Sequence, residues 1–375
     1  MKIVFLTMNS FSKFVTYKRA VGMGEALTKL GHQVYIVALD CQENRERMQV
    51  EAPHCIPLWY EVGGVFWEVV QKLRHLRKIC PDYVYSSVYS IRNLSGLQLF
   101  YPKQTKSILE FCELYSAIGK HKRRWAKLEY LALRHYDMFL CASNYLKTVF
   151  KERLCRLGWN KPITYSPYAY PVYLKPLPKS GDGQKRIMFM ASLWKGYGIF
   201  DVLAAFELVV KQLPDAKLDV LGRGPAMEEA MAWVGAHGLT ASVVFYGYVA
   251  ESDINAWFSK ASVFISPLHD TVQDRARCPS KLYYYLPYNK PIVTCELGDP
   301  YDTLGPFGYY YKPDDVPDMA RALIRALNDS DGFEYPKDFL ARHSWDARAA
   351  DFVKWHSSTE ENEKKADYEA RRRQH

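Results

Sequence analysis

A chain of 375 residues with 48% hydrophobic and 15% aromatic content is long enough for two ordinary domains, each with its own core, and falls outside the disordered class. Its 50 Lys and Arg outweigh 41 Asp and Glu, and the formal net charge of +9 favours anionic partners such as nucleotides, phospholipids or nucleic acid. No run of residues approaches the roughly eighteen uninterrupted apolar positions of a bilayer-spanning helix, so none is expected.

The chain opens on MKIVFLTM, an apolar run too short for a signal peptide and broken at once by Asn9 and Ser10. It reads as a strand, Lys2–Leu6, followed by a helix at Lys18–Leu30 and a strand at Gln33–Ala38 after Gly31 and His32. Further strands are expected at Tyr83–Tyr85, Ser107–Leu109 and Met138–Cys141, with helices at Val65–Ile79, Trp125–His135 and Tyr145–Leu154. From Pro162 to Gly183 the sequence dissolves into proline and glycine, which marks a linker and sets the domain boundary at 170/171. Alternation then resumes, with strands at Arg186–Met190, Lys217–Leu221, Val243–Tyr246, Val263–Ile265 and Pro291–Thr294. Between and after them come helices at Ile199–Gln212, Ala226–His237, Glu251–Lys260, Ser280–Leu286 and Val316–Leu327. The fold class is therefore α/β, two successive doubly wound, Rossmann-like domains, 1–170 and 171–345, with ligands expected beyond the carboxyl ends of the strands and in the cleft between domains. A last helix from Asp346 runs into a charged tail at 358–375, expected to be a solvated or frayed helical end. The eight cysteines show no metal-like or paired spacing and read as reduced core thiols of a cytoplasmic protein.

Four strand-end features of the second half suit a phosphate or, in one case, a base. Lys195 and Gly196 sit just before a helix; Gly222, Arg223 and Gly224 make a G-x-G turn, which tight turns need in any case; Gly247 and Tyr248 end a strand whose backbone can meet a base edge. The fourth is RARCPSKLYYYLPYNKPIV, where Arg275, Arg277 and Lys281 surround Pro279 and Ser280 at a helix start. An ordinary loop-to-helix junction with solvated cations is the plainer reading of that stretch. Asp270, past the Val263–Ile265 strand, reads from the residues alone as a turn-forming aspartate.

Taken in order, Lys-Gly, G-x-G-P, F-x-G-x-V, S-P-L-H-D and DTVQDRARCPSKLYYYL resemble the C-terminal domain of glycosyltransferase family 4, retaining enzymes of the GT-B fold, over Arg186–Trp355. His343-Ser344-Trp345 is similar to the short signature before the family's last helix, which crosses back to the first domain and here covers 346–357. The resemblance implies a metal-independent hexosyltransferase without a cofactor, moving a sugar from a nucleotide-sugar to a hydroxyl of a glycan or lipid-linked acceptor in polysaccharide or glycolipid synthesis. It implies catalytic charge at Lys195, Arg277, Lys281 and Asp270. Donor contacts would come from Gly196, Gly222, Arg223, Gly224, Gly247, Tyr248, Pro279, Ser280 and Tyr284, and acceptor-side contacts from Ser10, Lys13, Glu110 and Glu113. For the two glutamates, plain surface carboxylates remain the alternative. The sequence departs from the family at Ala276 and Tyr284, where many members carry glutamates, and at Ala191-Ser192, where many carry Gly-Arg. A catalytically silent binding or scaffold protein of the same fold is the alternative these losses raise, and a sugar-nucleotide epimerase ranks below both. Lys120–Lys127, with Trp125 among five cations, suits an anionic membrane surface, a nucleic acid or simply solvent; no nucleic-acid module accompanies it.

Overall fold

The computed structural model describes residues 1–11, 15–170 and 184–372. Lys13 and the proline- and glycine-rich stretch from 171 to 183 thus lie outside the described residues. The chain divides into two compact units: Met1–Val172 with Arg342–His375, and Tyr173–Ala341.

Unit 1 runs β1 (Lys2–Leu6), α1 (Val15–Lys29), β2 (Gln33–Leu39), α2 (Gln42–Glu51), β3 (Ile56–Tyr60), α3 (Val65–Ile79), β4 (Tyr83–Ser86), β5 (Lys106–Phe111), α4 (Lys122–His135), β6 (Met138–Cys141), α5 (Asn144–Arg156) and β7 (Ile163–Tyr165). Its parallel sheet has the order β3-β2-β1-β4-β5-β6-β7. On one face Val69, Leu73 and Leu76 of α3 pack with Leu94, Leu97 and Tyr101 against Val4, Val37 and Val84.

Unit 2 runs β8 (Arg186–Met190), α6 (Ile199–Gln212), β9 (Lys217–Leu221), α7 (Met227–Ala236), β10 (Val243–Gly247), α8 (Ile254–Phe258), β11 (Val263–Ser266), α9 (Val272–Ala276), α10 (Ser280–Tyr285), β12 (Ile292–Cys295), α11 (Gly298–Leu304), β13 (Tyr309–Tyr311), α12 (Val316–Asn328) and α13 (Lys337–Arg342). Its sheet is also parallel, in the order β10-β9-β8-β11-β12-β13. The start of α12 shows how locally the sequence dictates this: Asp315 accepts the Asp318 amide at 2.8 Å, Pro317 fills the first turn, and Met319, Leu323, Ala326 and Leu327 then recur on the buried face.

The final helix, α14 (Trp345–Arg372), returns to unit 1 and lies along α1. The Trp345 indole stacks edge-on to Tyr168 at 5.1 Å and covers Gly22, where any Cβ would overlap it. Lys29 pairs with Asp346 at 3.1 Å.

Several sequence expectations need correction. The helix expected at Glu251–Lys260 is a 3₁₀ turn at Glu251–Asp253 followed by only Ile254–Phe258. The charged tail, by contrast, is the helical end expected of it: α14 continues as far as Arg372, because Glu, Lys, Ala and Arg hold a helix without needing a buried face. Elements α2, β3, β7, β13, α9, α11 and α13 carry no clear period: β3, β7 and β13 are short edge strands, and α2 buries only Asn44 and Met48. Not all cysteines are core thiols, since Cys80 caps the end of α3 and Cys155 lies on the last turn of α5, both exposed.

Candidate active site

Strand order in unit 2 reverses between β8 and β11, since β9 and β10 extend one way and β12 and β13 the other. In an open parallel sheet the crevice at such a reversal, beyond the carboxyl ends, is where ligands bind. The two loops that leave it, after β8 and after β11, carry Lys195, Gly196, Asp270, Arg275, Arg277, Pro279, Ser280 and Lys281.

Backbone contacts fix the first loop. The Leu193 amide donates to the Arg223 carbonyl at 3.1 Å, the Ala226 amide to the Leu193 carbonyl at 2.9 Å, and the Gly222 amide to the Gly247 carbonyl at 2.6 Å. A Cβ at Gly222 (φ 125°) or Gly224 would collide with the backbone of Ala191 or Leu193. The G-x-G turn is thus demanded by loop-on-loop packing, whatever a ligand asks of it. Gly196 has open space around it.

The second loop is held by Asp274, a residue that sequence reasoning passed over. Thr271 caps α9 by accepting the Asp274 amide at 3.1 Å, and the buried Asp274 carboxylate accepts the His269 amide at 2.7 Å and pairs with Arg277 at 2.8 Å. The His269 ring lies between Asp201 (3.5 Å) and Asp314 (3.0 Å), which fixes the loop against the start of α6.

On this support the Arg277 guanidinium sits over the Tyr197 ring at 5.0 Å and the Lys281 ammonium over Phe189 at 5.3 Å. Part of Lys281 reaches solvent, yet its ammonium is densely enclosed. Burial, with the Arg277 guanidinium adding to it, pulls the ammonium down to about 7 against the opposing pull of Asp274. Arg277 is thus paired with the one carboxylate while Lys281 is not, and an anion bound beside Lys281 favours its charged form. Because α10 has only six residues, these side chains rather than the helix dipole supply the field at Pro279 and Ser280.

The other expected donor residues are placed less uniformly. Lys195 is exposed and held by Glu229 of α7 at 2.6 Å, so it must leave that partner to meet a ligand. Asp270 is exposed and paired with Arg275 at 2.7 Å, and the hydrogen bond from Arg275 keeps its carboxyl below the usual range. Arg223 lies over the exposed Tyr248 ring at 4.8 Å. Ala276 is fully buried, but Tyr284 donates its hydroxyl to Glu251 at 3.0 Å. A carboxylate absent from α10 is thus brought in from the turn after β10.

In unit 1 the strand order reverses between β1 and β4. Ser10, half-buried, lies on the loop after β1, and the fully buried Asn44 fixes that loop by accepting the Phe11 amide at 2.9 Å and donating to the Asn9 and Leu39 carbonyls. Lys72 of α3 donates to the Thr7 and Arg92 carbonyls at 2.9 and 2.8 Å, and burial pulls it down to about 7. Its signal was a lysine on the apolar face of α3, in phase with Val69 and Leu76.

Glu110 requires correction as an acceptor contact and as a surface carboxylate alike. It is buried on β5, paired with Arg19 of α1, and accepts the Tyr85 hydroxyl at 2.8 Å. Glu113, past the end of β5, is half-buried. Residues 120–127 are exposed at the start of α4.

Residues 184–329 match the family model described as glycosyl transferases group 1. Among solved structures the chain is similar to a sucrose-phosphate synthase from Thermosynechococcus elongatus, at 16% identity and a TM-score of 0.71, with 96% of this chain and 99% of that one covered. It is similar to Anabaena HepE in complex with UDP and glucose, at 13% identity and a TM-score of 0.73, covering 96% and 100%. A mutant of S. aureus TarM in complex with UDP aligns at 9% identity and a TM-score of 0.69, covering 94% and 99%. No curated protein matches the chain significantly.

Proposed function

We propose that this chain, GT-B in fold and matched to group 1 glycosyl transferases over residues 184–329, moves a sugar from a nucleotide-sugar to a hydroxyl of a glycan or lipid-linked acceptor, with retention at the anomeric carbon. The observation that carries this reading is the Arg277, Lys281 and Asp274 cluster at the reversal between β8 and β11, two cations with one counter-charge where a parallel sheet receives its ligand. A donor diphosphate occupies that position. As the bond from the anomeric carbon to the diphosphate oxygen breaks, negative charge grows on the leaving group, and the fixed cations stabilise it more than they stabilise the bound donor. The new bond forms from the acceptor oxygen to the same carbon, and the acceptor proton passes to the departing phosphate oxygen. No separate general base and no metal ion is required on this path.

Tyr284 and Glu251 face the question raised by the missing glutamates. The silent-protein reading rests on their loss, but the Glu251 carboxylate at the Tyr284 hydroxyl offers an acceptor for a donor hydroxyl and favours the active reading. The protein, acting at a cytoplasmic membrane face in polysaccharide or glycolipid assembly, is tested with a panel of nucleotide sugars, UDP-sugars first, by following nucleoside diphosphate release and thermal shift. No shift and no release with any donor overturns the transferase. Lys195→Ala and Arg277→Ala each abolish turnover if the site is placed correctly, and full activity in both, with unchanged melting, refutes the assignment.

A further inference from the structure

The first unit carries a surface that the reaction does not explain. Helices α3 and α4 hold one carboxylate each, and both are buried and neutralised: Glu68 pairs with Arg92 at 2.5 Å and Glu129 with Arg153 at 2.5 Å. Every solvent-facing ionic side chain on these two helices is therefore basic, Arg74, Arg77 and Lys78 on α3 and Lys122, Arg123, Arg124, Lys127 and Arg134 on α4. The segment between them ties the helices into one layer, since Arg92 reaches Glu68 of α3 while Tyr89 bonds His135 at the end of α4 at 3.2 Å.

Apolar side chains project where α3 and α4 begin. The loop after β3 and the first turn of α3 read EVGGVFW, and all seven residues are exposed, Val62 by 71% and Phe66 by 81%. Gly64 (φ 84°) turns this loop outward, and the Trp67 ring carries the Arg74 guanidinium at 5.5 Å. On α4 the exposed Trp125 stacks on Tyr115 at 5.1 Å amid the lysines and arginines. Because all the strands are parallel, the loops after β3 and β5 leave the same carboxyl edge of the sheet as the acceptor-side loop after β1.

We propose that this edge of unit 1 is a docking surface for an anionic lipid bilayer, with Val62, Phe66 and Trp67 entering the interface and Arg74 with the cations of the first turns of α4, Lys122, Arg123, Arg124 and Lys127, meeting the headgroups. Charge complementarity and apolar prongs on one edge are what an interfacial protein requires. Nucleic acid fits less well, because the aliphatic Val62 has no face on which a base can stack. Among the described residues no helix is long and apolar enough to cross a membrane, so the contact is peripheral. Docking here brings a lipid-borne hydroxyl to the loop that holds Ser10. The surface does not depend on the proposed reaction, since vesicle binding needs no donor.

The test is co-sedimentation of the full chain with vesicles of phosphatidylcholine alone and of an equal mixture with phosphatidylglycerol. Binding is expected to the mixed vesicles only and to weaken with salt. Phe66→Ser with Trp67→Ser, and separately Lys122→Glu with Arg124→Glu, each lower it about tenfold, with melting unchanged, while Lys211→Glu on unit 2 leaves it intact. The proposal is overturned by equal binding to both vesicles, by no binding to either, by retention on an RNA oligonucleotide without vesicle binding, or by unimpaired binding of both double variants.

Discussion

Donor binding should carry a proton signature set by Lys281. Its ammonium titrates at about 7 in the unliganded protein, and a diphosphate beside it favours the charged form. At pH 8 about nine-tenths of the lysine is neutral before binding, so binding takes up about 0.9 proton; at pH 6 the uptake falls to about 0.1. If only the charged lysine holds the diphosphate, the donor Kd rises about tenfold between pH 6 and pH 8. Unfolding cannot imitate this loss. A lysine lowered by folding leaves the unfolded chain with the extra proton between about 7 and the ordinary value, so its contribution makes the fold more stable as pH rises through that window. A nucleotide sugar also has no phosphate group titrating in this range, unlike the free nucleotide. Calorimetry in buffers of different ionisation enthalpy, with the donor found in the panel, reads the uptake directly. Lys281→Met should abolish both the uptake and the pH dependence of Kd. An uptake that does not change between pH 6 and pH 8, or one that survives in Lys281→Met, refutes the placement of the diphosphate beside this residue.

Two further outcomes follow from the geometry. Glu110→Gln leaves Arg19 buried without its counter-charge and should destabilise unit 1 by about 3–5 kcal/mol in denaturation, whereas a melt equal to the parent's would show the pair to be dispensable. Tyr284→Phe removes the hydroxyl that meets Glu251 and should weaken donor binding by about 5- to 30-fold with little change in melting, and an unchanged Kd would remove this pair from the donor site.

What the sequence disclosed tracks how each element earns its place. Strands buried on both faces, such as Arg186–Met190 and Met138–Cys141, and amphipathic helices such as Val65–Ile79 carry their period in a few residues and were bounded correctly. Edge strands β3, β7 and β13 bury little and are ordered mainly by the ladder of the neighbouring strand, which no local pattern announces. The site divides in the same way. Arg277 and Lys281 were visible because a basic loop before a helix start is a local signature. Glu251 was not, because its relation to Tyr284 spans 33 positions of chain and exists only once the turn after β10 faces α10. Asp274 was hidden for a different reason: in sequence a carboxylate next to an arginine looks like solvated surface, and only burial shows that it organises the loop. Glu110 misled in the opposite sense, its motif suggesting a ligand contact where the fold supplies Arg19.

The return of α14 to unit 1 bears on how the protein is made. Unit 2 is one continuous segment, whereas unit 1 is assembled from both sides of it, and its Trp345 cover over Gly22 and Tyr168 comes from beyond residue 341. On the ribosome the domain that begins first is therefore finished last. Until α14 emerges, the groove on α1 stands open and Arg19 lacks one of the two rings that enclose it, Tyr168 at 5.3 Å and Trp345 at 6.0 Å. Vectorial synthesis thus leaves an unfinished apolar seam on a nascent unit 1 for as long as unit 2 takes to appear, and the closing of that seam couples the integrity of the two halves within a single chain.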